Sequence, residues 1–326
     1  MQRTVTVMTK FLKKCIIILL VLFSVVCRTA LPAMPLFDEY GNLTDGSREI
    51  CSILRISNEV TDAETFFEYF RDNIYRSRPF VGARYSYCPY VSKLDENSFN
   101  RLLDACGKLQ ITIEILPKNE HYDYIVVFGN STGCMKMSRD FVYQKLGKIF
   151  EENPNIKVYV VTGHRNLDKD LESKDIINKL TANGLPCTES YAAKEIWNNK
   201  NYKSNIECVF VNVEENEIPK DGRGVNRANT RDTVKKLLET KKLKPGSMLC
   251  VSVNPYIWHH HNACQNVLFS YGWHFDNSSI ETVGPCIDIE FYCNMLGRQR
   301  MAQFLLNDIA NCAYEEYNFL KSHNLE

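Results

Sequence analysis

The chain has 326 residues, 44% hydrophobic and 24% charged, which is the make-up of a globular protein with a substantial core. Lysine plus arginine equals aspartate plus glutamate at 39 each, and no basic run is interleaved with aromatic residues. That balance argues against a nucleic-acid partner and against a charge-driven membrane surface.

The first segment, residues 1–33, reads as a targeting element. Arg3, Lys10, Lys13 and Lys14 precede an apolar run from Cys15 to Cys27, and small residues follow in RTALPAMP. This order marks a secretory signal, cleaved or kept as an anchor. The run is about 13 residues, short of the ~18–20 that span a bilayer comfortably. The expected location is therefore exported: secreted, periplasmic or held at a membrane through this segment alone. Of the 13 cysteines none forms a C-x-x-C, which argues against a structural zinc site. Cys208 and Cys250 sit in apolar runs and read as buried thiols, whereas Cys286 and Cys293 are spaced for a bridge. Asn42, Asn130 and Asn277 head N-x-S/T sequons.

Residues 34–118 read as an N-terminal helical extension. Thr61 to Glu64 has the form of a capping box before a helix whose rings Phe66, Phe67, Tyr69 and Phe70 face a core. A second helix is expected over Glu96–Lys108, and Tyr85 to Tyr90 reads as a loop. From residue 119 to 326 strands and helices alternate. Strands are expected at 123–129, 156–162, 206–213 and 247–253, with helices at 138–152, 173–183, 230–242, 258–271 and 294–321. The stretch from Pro186 to Arg227 is long enough to be an insertion or a lid. Alternation predicts an α/β fold: a doubly wound, mainly parallel sheet flanked by helices, Rossmann-like, behind the helical extension.

In such a sheet, ligands settle beyond the carboxyl ends of the strands. DYIVVFGNS (Asp123–Ser131) runs a two-face-buried strand into small polar residues, KVYVVTGHR ends in Thr-Gly-His, and SMLCVSVNPY ends in Asn-Pro-Tyr. Gly129 and Gly163 allow close approach of a ligand to the backbone. Asn130, Ser131, Thr162, His164 and Asn254 supply hydrogen bonds, and Tyr256 and His259 are acid–base groups. Asn229, Thr230 and Asp232 start a helix, as caps, as ligand contacts or as both. Consecutive His259, His260 and His261 point about 100° apart on a helix, so the three cannot share one metal ion comfortably, and ligation would need partners elsewhere such as His164 or His274; no metal site is assigned. No catalytic residue is assigned, because a nucleophile elbow, a phosphate loop and a Gly-x-Gly-x-x-Gly are all missing.

The blocks DYIVVFGNS, VVTGHR, ANTRDT and VSVNPYIWHH resemble, in order and spacing, those of the SanA/YdcF-like domain family, which includes ElyC. Asp123 and Gly129 match its first block and Gly163 its second. Asn229 and Thr230 match the third, with Asp232 and Thr233 for its glutamate and asparagine. In the fourth, Tyr256 stands in the histidine place and His259 in the arginine place. The resemblance covers about Tyr122–Phe275. It implies a small phosphate-bearing or nucleotide-like ligand, with S-adenosylmethionine or a nucleotide as cofactor, and a role in the cell envelope. The replaced histidine and arginine favour the alternative, a non-catalytic binding or scaffold module.

Overall fold

A computed structural model describes residues 35–75, 87–169, 172–198, 206–214, 228–274 and 278–324. The segment 1–33 and the sequon Asn277 lie outside the described residues. Five strands form one all-parallel sheet: β1 (Tyr124–Phe128), β2 (Val158–Gly163), β3 (Cys208–Val213), β4 (Ser247–Val251) and β5 (Ser279–Val283), in the order β3-β2-β1-β4-β5. The register is continuous, with Val126 opposite Tyr159 on one side and Cys250 on the other.

The inner strands are apolar at every position because both faces are covered. On one face Ile125, Val127, Val160, Leu249 and Val251 pack against α4 (Thr132–Lys145), α5 (Gly147–Glu152), α6 (Lys174–Ala182) and α7 (Glu189–Trp197). On the other, Val126, Phe128, Met248 and Cys250 pack against α8 (Thr230–Lys241) and α9 (Ile257–Ser270). Each such side chain contributes about 1.5–3 kcal/mol by leaving water. At the amino end of the sheet Asp123, a match to the first family block, accepts hydrogen bonds from Ser247 N (2.7 Å) and Ser247 Oγ (2.9 Å), so it fastens β4 to β1 rather than facing the ligand edge.

The extension contributes α1 (Asp45–Leu54), α2 (Ala63–Tyr69, continued by a wider turn to Ile74) and α3 (Glu96–Lys108). The capping box is present one residue later than the pattern suggests: Asp62 caps the Thr65 N–H, and the Thr65 hydroxyl answers the Asp62 N–H. Phe66 and Phe70 are fully buried and stacked at 4.1 Å, with Phe37 edge-on at 5.5 Å.

The chain closes with α10 (Ile289–Leu296) and α11 (Arg298–Asn324), separated at Gly297, where one helix had been expected over 294–321. α11 carries buried polar groups that fasten the two parts together. Glu316 accepts from Leu36 N (3.2 Å), Phe37 N (3.3 Å) and Asn262 Nδ2 (3.2 Å). Gln303 accepts from Cys88 N at 2.6 Å, and Arg231 of α8 donates to Glu315. Residues 35–326 accordingly group as one unit.

Three expectations are corrected. The first helix after β1 starts at Thr132, not 138, because Ser131 caps it, and it breaks at Leu146. The stretch 186–227 contains α7 and β3 as regular members of the alternation, while 199–205 and 215–227 lie outside the described residues. Cys286 and Cys293 are free thiols, not a bridge. No described helix is long and apolar enough to cross a membrane.

Candidate functional site

The strand order places the topological switch between β1 and β4: the helices that follow β1 and β2 cover one face, and those that follow β3 and β4 cover the other. Two loops leave the sheet in opposite directions there, Gly129–Ser131 toward α4 and Ser252–Tyr256 toward α9. A crevice between such loops is the standard ligand position of this architecture.

The first loop is occupied from within. Thr132 N, among the first donors of α4, gives its hydrogen bond to Glu172 Oε2 at 2.6 Å, and the Thr132 hydroxyl accepts from Ser173 N at 2.7 Å. Arg165 binds Glu172 Oε1 through Nη1 (2.8 Å), Glu189 Oε2 through Nε (2.7 Å) and Asn130 O through Nη2 (3.2 Å). The side chains of Arg165, Glu172 and Glu189 are 11%, 1% and 7% exposed. Burial opposes the charge on Arg165, but the Glu189 and Glu172 carboxylates outweigh it and hold the guanidinium above its ordinary pKa. One cation thus serves two carboxylates, and the position where a phosphate would meet the helix N-terminus holds Glu172.

This changes the meaning of the two glycines. A Cβ on Gly129 would fall on Glu189 Oε1 and lie 2.9 Å from Val161 O. A Cβ on Gly163 would lie 2.8 Å from Ala228 Cβ. Both glycines make room for the protein's own groups. Asn130 turns its Oδ1 to Ser131 N (2.8 Å), and Ser131 Oγ accepts from Cys134 N (3.4 Å) as the cap of α4. Thr162 is buried and donates to Asn212 Oδ1 at 3.1 Å, and His164 N donates to Val213 O at 2.8 Å.

At the second loop Asn254 is fully buried and spends its Nδ2 on Gln110 O (2.9 Å) and Ile113 O (2.5 Å). It holds the end of the extension and is closed to a ligand. Tyr256 is half-buried, stacked on His260 at 6.0 Å and edge-on to Phe304 at 5.4 Å. His260 in turn lies against Phe128 at 4.8 Å, so Tyr256 and the end of β1 are joined through one ring.

The three histidines diverge, as helical geometry requires. His260 Nδ1 meets Ser252 Oγ at 2.7 Å, His261 Nδ1 meets Thr282 Oγ1 at 3.0 Å, and His259 Nδ1 faces Asp308 Oδ1 of α11 at 3.8 Å. His259 therefore serves a helix–helix contact and leaves the crevice. At 3.8 Å the pair is longer than a hydrogen bond. Burial raises the Asp308 carboxyl and lowers His261 to about 4. Ser252 and His260 pair a hydroxyl with an imidazole, but at 2% and 8% exposure they are closed to substrate. Among the described residues no cluster of His, Cys, Asp or Glu could hold a metal.

Asn229 and Asp232 form a reciprocal capping box on α8, Asp232 N to Asn229 Oδ1 at 3.0 Å and Asn229 N to Asp232 Oδ2 at 2.9 Å. Thr230 is the first residue of that helix, and its carbonyl accepts from Thr233 Oγ1. Capping accounts for the side chains of Asn229 and Asp232. Of the expected set, Asn130, Ser131, His164, Thr230 and Tyr256 stay half-buried at these strand ends and helix starts. A groove of about 440 Å³ between α4, α6 and α7 lies elsewhere, lined by Lys136, Arg139, Asp175, Lys179 and Glu195.

Sequence reasoning missed Arg165, Glu172 and Glu189. Arg165 was readable, since it ends the same strand-exit string as Gly163 and His164. Its two carboxylates lie 7 and 24 residues further on with no local pattern to mark them. Comparison of the chain with protein-family models, curated proteins and solved structures finds no match.

Proposed function

We propose that this chain is an exported or membrane-anchored binding module of the SanA/YdcF-like kind, which takes a small nucleotide-like ligand at the switch point and releases it unchanged. The observation that carries the reading is the commitment of Arg165 and Thr132 N to Glu172 and Glu189. Buried charge that is already paired is costly to uncover, so a ligand here is held by neutral groups. With Asn130 Oδ1 and Ser131 Oγ accepting from Ser131 N and Cys134 N, the Asn130 amide N–H and the Ser131 hydroxyl proton are the donors on offer, and Tyr256 supplies a ring at the second loop of the switch point. Such a set suits the base and sugar of a nucleoside, or the adenosyl part of S-adenosylmethionine, better than a phosphate.

Calorimetry on the full chain with adenosine, S-adenosylmethionine, ADP and inorganic phosphate tests this. Adenosine and S-adenosylmethionine are expected to bind with similar affinity and to be recovered intact, while phosphate alone gives no heat. Tighter binding of ADP than of adenosine, or conversion of any of the four, would overturn it.

A phosphate-bearing ligand acted on by an envelope enzyme is the second reading. The strand order favours it, because this arrangement seats phosphates after β1; Glu172 would then have to leave the α4 N-terminus. Export is tested separately by fractionating cells that express the full chain or one beginning at Met34. Recovery of both from the cytosol would refute it.

A further inference from the structure

Among the described residues, Cys250 and Cys264 are a thiol pair in direct contact. Cys250 sits in the middle of β4, Cys264 faces it from α9, and their sulfurs are 3.8 Å apart. Both are fully buried. The surrounding groups are apolar, including Val126, Val267, Leu268 and Trp273. Burial among such groups holds a thiol protonated and unreactive once the chain is folded.

We infer that Cys250 and Cys264 are a disulfide-forming site, closed as the chain folds in the presence of a small-molecule disulfide such as oxidised glutathione, and that the bond fixes α9 to the central sheet. A disulfide has its sulfurs ~2.05 Å apart, so the pair must close by roughly 1.8 Å from its contact distance. The step is two thiol–disulfide exchanges. One protein thiolate attacks a sulfur of the oxidant, forms a mixed disulfide and releases one small thiolate. The second protein thiolate then attacks the mixed disulfide, forms the Cys250–Cys264 bond and releases the other. The two protein sulfurs lose two electrons to the oxidant's S–S bond, and their two protons end on the released small thiols.

Timing follows from burial. The Cys264 thiol is raised well above its ordinary pKa by its hydrogen bond to Cys250 and by burial. In the folded chain it is both protonated and covered, and oxidants do not reach it. Exchange must occur while α9 docks on β4. The half-buried Cys187, Cys208, Cys286 and Cys293 have no such protection.

The test uses the full chain in two arms. In one it is unfolded, reduced and refolded in a glutathione buffer rich in the disulfide form. In the other it is folded reduced and then given the same buffer. Free thiols are alkylated under denaturing conditions before mapping by mass spectrometry without reduction. Trypsin is unsuitable because residues 245–297 contain no lysine or arginine, so chymotrypsin is used to cut between the two cysteines. Refolding is expected to give a Cys250–Cys264 linked peptide in most molecules, and the prefolded arm at least tenfold less. Recovery of both cysteines alkylated after oxidative refolding, or their linkage mainly to other cysteines, overturns the inference. Wild-type protein alone decides the matter, so a misfolding variant cannot obscure it.

Discussion

Glu316 illustrates what burial does to a single group. Three donors favour its carboxylate, yet complete burial outweighs them and raises it from 4.5 to about 8. A carboxyl raised in the folded state holds a proton that the unfolded chain gives up. Its contribution to stability is full below about pH 4.5 and is lost as the pH rises through about 8. The difference in unfolding free energy between wild type and Glu316→Gln should therefore shrink or reverse between pH 5 and pH 8.5, as read by urea unfolding at each pH. His261, lowered by burial, acts in the opposite sense: its contribution is present above about pH 6.5 and fades toward pH 4. A second residue-scale outcome concerns Gly163. Gly163→Ala should cost ~1–3 kcal/mol through overpacking on Ala228, and Ala228→Gly in the same chain should return much of it. A double-mutant cycle with no coupling would show that the Ala228 contact is not the cause.

At the scale of elements, two polar devices set where helices begin. The box on α8 satisfies two backbone donors reciprocally, so Asn229→Ala should lower stability by ~1 kcal/mol in chemical unfolding. The Arg165 cluster joins the end of β2 to the starts of α4 and α7. Arg165→Met leaves two buried carboxylates without a cation and should cost ~3–5 kcal/mol. Adding Glu172→Gln and Glu189→Gln should recover most of that loss; no recovery would mean that packing of the guanidinium dominates. These devices also explain what the sequence could reveal. The box at Asn229 is local and legible, and so are β1 and β4, whose unbroken apolar runs follow from burial on both faces. β5 was not, because an edge strand reading Ser-Ile-Glu-Thr-Val carries polar residues and little periodicity. The glycines were legible as places where something comes close. Whether that is a ligand or Glu189 is settled by residues dozens of positions away.

For the whole molecule, α11 is the member that makes the helical extension and the sheet a single body. A chain ending at Ile309 should not fold cooperatively, because it loses Glu315 and Glu316 with their partners Arg231, Asn262, Leu36 and Phe37. Loss of the sharp transition by circular dichroism in that shortened chain is the expected result.

The clamp from Leu36 to Glu316 spans 280 positions of sequence. During synthesis, the N–H groups of Leu36 and Phe37 emerge first and bond only to water until residue 316 has been made. Nearly the whole polypeptide must wait beside a half-built layer of apolar helices, and closing so long a loop is slow. The described unit is therefore expected to close only after its last helix leaves the ribosome, with α1, α2 and α3 waiting longest for their partner.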